Sequence, residues 1–225
     1  TRVESSAASD VYKRQDTTRS TDVYKNSIIF ALNQLGLNYD DEITYQSNRF
    51  DHYIDIIEQL LNDDMAYYDK VEVNEKTKET NLSIQFENRL NKKGHVIRFR
   101  NQKENSVTIN DSVHGEIIFN PKVFFDVVIL RSSGIPTYNL TSVVDDIDLG
   151  ITHLIRGDDH LSNLPVQVNL FKSLNAVVPS FSHLPMIHGA DGKRLSKRHG
   201  AVDINHFLNE GYRVDAILNY LAKTG

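Results

Sequence analysis

The chain has 225 residues, 40% of them hydrophobic, and a formal net charge of −5, enough apolar material for one large globular domain or a core carrying an insert. It contains no cysteine, which excludes disulfides and thiolate zinc sites and is compatible with a reducing cytoplasm or an organellar matrix. No apolar run approaches the roughly 20 residues that cross a bilayer, and the first residues lack the hydrophobic stretch of a secretory signal, so no membrane partner is expected.

Residues 1–15, TRVESSAASDVYKRQ, carry neither helical nor strand periodicity. Within them DVYKRQ (Asp10 to Gln15) resembles one reading frame of a widely used transposon-type sequencing adaptor, so this stretch is expected to be a non-native leader outside the fold. From Asp16 the pattern becomes regular. Ile28, Leu32 and Leu35 share one helical face that ends near Gly36, and Phe50, Ile54, Ile57 and Leu61 predict a second amphipathic helix with Ser47 as its cap. Residues 16–68 are therefore taken as the first part of a core. Residues 69–118 change character, polar at first and then with short runs such as HVIRFR and EIIF around the turn-like NDS, and are expected to form an inserted subdomain.

The second part of the core spans 119–200. FDVVIL (Phe125 to Leu130) suits a strand covered on both faces. Pro136 starts a helix that runs to about Asp146, ITHLIR (Ile151 to Arg156) predicts a strand, Leu161 to Leu174 a helix, and HLPMI a third strand. This β-α-β-α-β order implies parallel strands in an α/β sheet. Such sheets bind ligands beyond the carboxyl ends of their strands, which directs attention to the loops 131–138, 156–160 and 187–200.

Each loop carries polar residues with chemistry to offer. RSSGIPTYNL places Tyr138 in a first helical turn. RGDDH combines a close-approach glycine, Gly157, with the planar fork of Arg156 and the acceptors Asp158 and Asp159, although acids ahead of a helix also serve as caps. DGKRLSKRHG crowds Lys193, Arg194, Lys197 and Arg198 into ten residues of an acidic chain, an arrangement that costs Coulomb repulsion unless an anion sits among them. The charge is segregated elsewhere too. Residues 40–64 hold eight acids against Arg49 alone, whereas 69–104 hold nine Lys/Arg against six acids, so a basic face for a polyanion can coexist with the negative total.

GIPTYNL, THLIRGDDHLSN and above all GKRLSKRHGA resemble class I aminoacyl-tRNA synthetases, and among them the bacterial or organellar glutamyl-tRNA synthetases. DTTRSTD, LNQLGLNYDDE and YQSNRFDHYIDIIEQLL look like the N-terminal catalytic region of the same family, so the resemblance runs from Asp16 to Gly225. It implies an incomplete doubly wound, Rossmann-like catalytic core with an inserted α+β subdomain, and at 201–225 the start of a helical linking domain. It also implies an enzyme that activates glutamate with ATP and passes the acyl group to the 3′ end of tRNA(Glu). By resemblance Lys197, Arg194 and Ser196 are catalytic. Lys197 and Arg198 would hold the ATP phosphates, Asp159, Met186 and Ile187 would line the nucleotide side, and Tyr138 and Arg156 would meet the glutamate side chain. Asp16 and the basic residues of 69–118 would contact tRNA, and Mg²⁺ would arrive with ATP, with no zinc. Arg194 stands where the family usually has lysine.

The family's first strand and its His-rich signature loop find no match before Asp16, nor does an anticodon-binding region follow, so a fragment that is inactive by itself is expected. Two alternatives stay open at this stage. One is a glutaminyl-tRNA synthetase; the other is a non-catalytic RNA- or nucleotide-binding relative.

Overall fold

The computed structural model describes residues 3–4, 22–37, 43–71, 86–188 and 204–223. Two short segments open it. Strand β1 (Val3–Glu4) is followed by helix α1 (Asp22–Gln34), which ends as its sequence suggests: Gly36 takes φ +68°, and the Leu37 N–H reaches back to the Leu32 carbonyl, satisfying a terminal helix acceptor. Helix α2 (Phe50–Asn62) buries Tyr53, Ile54, Ile57 and Leu60, the apolar stripe expected of a helix laid against a core. Ser47 is not its cap. The capping position is Arg49, without a side-chain cap bond, and Ser47 lies in a preceding 3₁₀ turn, Gln46–Asn48. That turn consumes the backbone one residue too early for the Ser47 hydroxyl to reach the first helical N–H groups.

Three strands then form an antiparallel sheet: β2 (Ala66–Lys70), β3 (His95–Phe99) and, further along, β6 (Val127–Leu130), in the order β2-β3-β6. Between them in sequence lie β4 (Val107–Asp111) and β5 (Gly115–Phe119), an antiparallel hairpin. After β6 come α3 (Tyr138–Asp148), β7 (His153–Gly157), a 3₁₀ turn (Asp158–Asn163), α4 (Leu164–Ser173) and β8 (Ser180–Leu184). The second sheet has the order β1-β7-β8-β4-β5, with β1, β7, β8 and β4 parallel to their neighbours and β5 an antiparallel edge. Helices α5 (Ile204–Asn209) and α6 (Val214–Ala222) close the described chain. No described helix is long and apolar enough to cross a membrane.

The expected trio of parallel strands therefore needs correcting. β7 and β8 are parallel neighbours, but β6 pairs antiparallel with β3 in the other sheet, and the third parallel strand is β4, contributed by the 69–118 stretch. An apolar run announces burial on both faces without naming its partner. The third strand also lies three residues earlier than HLPMI: Phe181 and His183 are its buried positions, and Pro185 to Ile187 follow it. Val3–Glu4 pairs in parallel with β7, although its stretch has no strand pattern. Pairing at an open sheet edge requires only extended backbone.

Helix α4 joins the two layers. Leu164 through Phe171 are all buried, the mark of a helix enclosed on every side. Val166, Leu170 and Phe171 belong to a core with α2, β3, β6 and α3, while Leu164 and Val168 pack with Val107, Ile109, Leu154, Phe124 and Phe181. Two buried polar residues on this helix need partners. Asn169 donates to the Asn101 side chain at 2.6 Å, and Gln167 faces the site described next.

The first core has a polar clasp of its own. Asp145 on α3 accepts from Tyr53 at 2.8 Å and from Gln46 at 2.8 Å and pairs with Arg49 at 2.9 Å. Burial pushes the Asp145 carboxyl above its ordinary range, against the pull of those three partners.

Candidate functional site

Alternation along three adjacent strands builds the site. On β4, β7 and β8 every second residue points inward, and the inward positions run Ile109 then Asp111, Leu154 then Arg156, and Phe181 then His183. Each strand thus changes from apolar to polar at its last buried position, at the carboxyl-end edge where parallel sheets receive ligands. The register sets Arg156 directly beside His183.

These side chains form one bonded chain. The Asp111 carboxylate meets His183 Nδ1 at 2.7 Å, His183 Nε2 accepts from Arg156 Nε at 3.1 Å, and Arg156 Nη2 donates to Gln167 Oε1 at 2.8 Å. Arg156 also lies over the Phe181 ring, 5.9 Å from its centroid. Only 5% of Arg156 and none of His183 is exposed. A buried cation is costly unless an anion neutralises it, yet both side chains that Arg156 hydrogen-bonds are neutral acceptors. Asp111 sits behind the imidazole, bonded to its other nitrogen. The arrangement can therefore accept a carboxylate from outside.

The rim comes from the loops. Gly157 is hemmed in: a Cβ there would stand 2.9 Å from both Asp159 Oδ1 and Met186 Sδ, so Asp159 and Met186 converge over the end of β7. The Tyr138 hydroxyl lies 3.4 Å from His160 Nδ1, with the two rings 5.4 Å apart. Tyr138 thus reaches the β7 end although β6 belongs to the other sheet. His114, in the β4–β5 turn, bonds Asp158 at 2.8 Å, tying that hairpin to the RGDDH loop.

The structure therefore sets Asp159 and Met186 together at Gly157, the residue after Arg156, and Tyr138 against His160 of the same loop, with Ile187 adjoining Met186 in the chain. Lys197, Arg194, Ser196, Arg198 and Asp16 lie outside the described residues, as do Lys76 and Lys78. Several basic residues of 69–118 are already paired. Arg89 bridges Asp55 at 2.5 Å and Glu58 at 2.7 Å, Arg98 meets Asp69 at 2.6 Å, and Lys103 meets Asp126 at 2.9 Å. Of these only Arg89 joins the basic run to the acidic face of α2. Among the described residues no cluster of three or more His, Asp or Glu could hold a metal ion.

Sequence reading found Arg156 but missed His183, Asp111 and Gln167. The available signal was a polar residue at an inward strand position, as in SFSHL and VTIND. A strand read as HLPMI hides that register, because the observed one is Ser180–Leu184.

The network has a pH signature. Burial alone would raise the Asp111 carboxyl, but the His183 N–H and backbone N–H groups of Val113, His114 and His183 hold it down to about 2. Burial lowers His183 below the ordinary imidazole value, opposed by Asp111. A depressed carboxylate stabilises the fold above its unfolded value near ~3.9 and loses that contribution as pH falls through the folded one. A depressed imidazole binds fewer protons folded than unfolded, so stability also falls as pH drops below ~6.5. Exposed His114, raised by its bond to Asp158, contributes oppositely, its stabilisation complete below ~6.5 and fading above. Thermal melts should show Tm falling as pH goes from 7.5 to 4, with a smaller fall in His183→Gln; a Tm that stays level across that range contradicts the network.

The sequence model of the class I tRNA synthetases (E and Q), catalytic domain, matches residues 14–225. Glutamate–tRNA ligase of Francisella philomiragia is 42% identical over 224 residues, 93% of this chain and 48% of that protein. Glutamate–tRNA ligase 1 of Alkalilimnicola ehrlichii shows the same identity and the same coverage. Among solved structures, the glutamate tRNA ligase from Elizabethkingia meningosepticum in complex with its amino acid superposes with TM-score 0.72 at 24% identity, over 91% of this chain and 51% of that one. The glutamate-tRNA synthetase from Elizabethkingia anophelis gives 0.74 at 23%, over 92% and 52%. The chain thus spans about half the length of the relatives it matches. With its parallel sheet, its polar carboxyl edge and a family match from residue 14 to its last, the chain belongs to the class I tRNA synthetases of the E and Q group, by their catalytic domain.

Proposed function

We propose that the chain is part of a glutamate–tRNA ligase, contributing much of the cleft in which glutamate is activated by ATP and then joined to the 3′ end of tRNA(Glu). One observation carries this reading: Arg156 is a buried guanidinium at the carboxyl edge of a parallel sheet, and its own protein partners are neutral. A glutamate side-chain carboxylate would complete it with charge-assisted bonds, which the neutral amide of glutamine cannot match. Tyr138 would border the same amino acid. Asp159, Met186 and Ile187 would line the nucleotide side, as their convergence on Gly157 supports for the first two. Lys197, Arg194, Ser196 and Arg198 would hold the phosphates.

In the first step the α-carboxylate attacks the ATP α-phosphorus and pyrophosphate leaves. In the second, a ribose hydroxyl of tRNA attacks the acyl carbon and AMP leaves. The chain's contribution is placement and electrostatic stabilisation. Mg²⁺ would travel with ATP. The 69–118 stretch, together with Asp16, would meet the tRNA acceptor end, and 201–225 would begin the connection to an anticodon-binding part. Binding there should weaken with salt. A cytoplasmic or organellar-matrix setting fits this role.

The test is Arg156→Gln in the full-length protein, measured by glutamate-dependent ATP–pyrophosphate exchange. KM for glutamate should rise by about 10²-fold, in line with the loss of a charge-assisted pair of roughly 3 kcal/mol, with KM for ATP little changed. An unchanged KM for glutamate would contradict the reading.

A further inference from the structure

We infer that His183 and Asp111 are positioning residues for Arg156: the imidazole, fixed in one tautomer by the Asp111 carboxylate, supplies the acceptor that holds the arginine fork open toward the cleft. The inference rests on the reading of Arg156 as the group that takes the substrate carboxylate.

Hydrogen-bond polarity along the chain leads to it. Arg156 Nε can only donate, so its 3.1 Å contact with His183 Nε2 needs a lone pair on that nitrogen. The ring must then be neutral and carry its proton on Nδ1, where Asp111 Oδ2 lies 2.7 Å away. Asp111 is itself immobilised, since its Oδ1 accepts from the backbone N–H of Val113 at 2.9 Å, His114 at 3.1 Å and His183 at 3.2 Å. On the other side Gln167 accepts from Nη2 at 2.8 Å and reaches Asn139 at 3.4 Å. Arg156 is therefore gripped along one edge, by two acceptors from two different elements. Its Nη1 has no protein partner among the described residues.

The imidazole also keeps the site's charge available. A carboxylate in direct contact with Arg156 would neutralise it and compete with the substrate, whereas the neutral ring binds the same N–H and sets the anion one residue back. His183 is faced by Asp111 from β4, by Arg156 from β7 and by Asp158 from the loop after β7, and its backbone meets the His114 side chain of the β4–β5 turn. Only Asp111 contacts Nδ1. The arrangement orients a ring through a carboxylate so that the far nitrogen offers the correct atom, a principle known from other sites where the wrong tautomer costs function although the geometry is intact.

Asp111→Asn tests this with an isosteric change. An amide can keep accepting backbone N–H groups through its oxygen while presenting N–H to His183 Nδ1, which forces the ring proton to Nε2 and sets donor against donor at Arg156. In the full-length protein, KM for glutamate in pyrophosphate exchange should rise about tenfold, with KM for ATP within about twofold. His183→Gln, whose Oε1 can take the place of Nε2, should retain more glutamate affinity than His183→Leu. If Asp111→Asn does not fold, the His183 pair decides alone, and equal KM values for glutamate overturn the inference. So does a parallel rise in both KM values. If these variants leave KM for glutamate unchanged while Arg156→Gln raises it, the positioning role fails and the Arg156 reading stands; if Arg156→Gln is silent too, that reading itself is wrong.

Discussion

Lys197→Ala in the full-length protein is expected to lower glutamate-dependent ATP–pyrophosphate exchange by about 10²–10³-fold, the usual cost of removing a charge aimed at a transition state. The expectation begins with electrostatics. Four Lys/Arg stand within residues 191–200, against Asp191 alone, in a chain of net charge −5, and such crowding is relieved by a polyanion. Under the proposed function that polyanion would be the ATP triphosphate, with Lys197 at the α/β-phosphates. Negative charge would grow on the departing pyrophosphate, so the lysine would act more strongly in the transition state than on bound ATP. The loss should accordingly appear in kcat, with a smaller rise in KM for ATP. Lys197→Arg keeps the charge but changes its shape and should recover only part of the rate. Exchange that proceeds undiminished in Lys197→Ala removes the electrostatic basis of the proposed function.

Gly134→Ala is expected to have the largest effect on stability, a loss of about 3 kcal/mol. Gly134 adopts φ +79°, where a side chain costs roughly 1–2 kcal/mol. Its Cβ would also fall 1.9 Å from the Phe86 carbonyl oxygen and under 3 Å from the Asn91 and Asn88 side chains. Backbone cannot step aside as a flexible side chain can. The Phe86 N–H bonds the Ser133 carbonyl at 2.9 Å and Asn88 Nδ2 bonds the Gly134 carbonyl at 3.1 Å, so the clash pries apart the two segments that lead to Tyr138 and β3. Overpacking of this kind adds ~1–3 kcal/mol, and the sum corresponds to a Tm lower by roughly 6–12 °C for a chain of this size. Gly94→Ala provides the comparison. Its φ is +71° but nothing lies within 4 Å of the added carbon, so only the smaller conformational cost applies. Equal melting losses in the two variants would show that the Phe86 contact is not decisive.

The two halves of the site differ in how they could be found. Arg156, Tyr138 and Asp159 were legible because they stand close to Gly157 and Pro136, at the end of β7, the start of α3 and the following 3₁₀ turn, where a turn alone does not need a fork, a phenol or an acid. The cationic run at 191–200 was legible from its charge density. His183 and Asp111 were not, because each reads as one polar residue within an ordinary β-run. Their roles depend on which strands are neighbours and in what register.

Local pattern by itself determined the helices, since the spacing of Phe50, Ile54, Ile57 and Leu61 marks an amphipathic one, although packing buries Tyr53 and Leu60 beside Ile54 and Ile57. It also determined the parallel β7–α4–β8 unit and the family signatures, which reside in contiguous residues. Tertiary structure alone decided the rest. It moved Phe125 to Leu130 into an antiparallel sheet with β3, brought β4 beside β8, and paired Arg89 with Asp55 and Glu58. It also aligned Asp111, His183 and Arg156 into one bonded series. The reason is physical: strand pairing and buried polar partnership join residues 27 to 72 positions apart in this series, and no local periodicity encodes contacts at that separation.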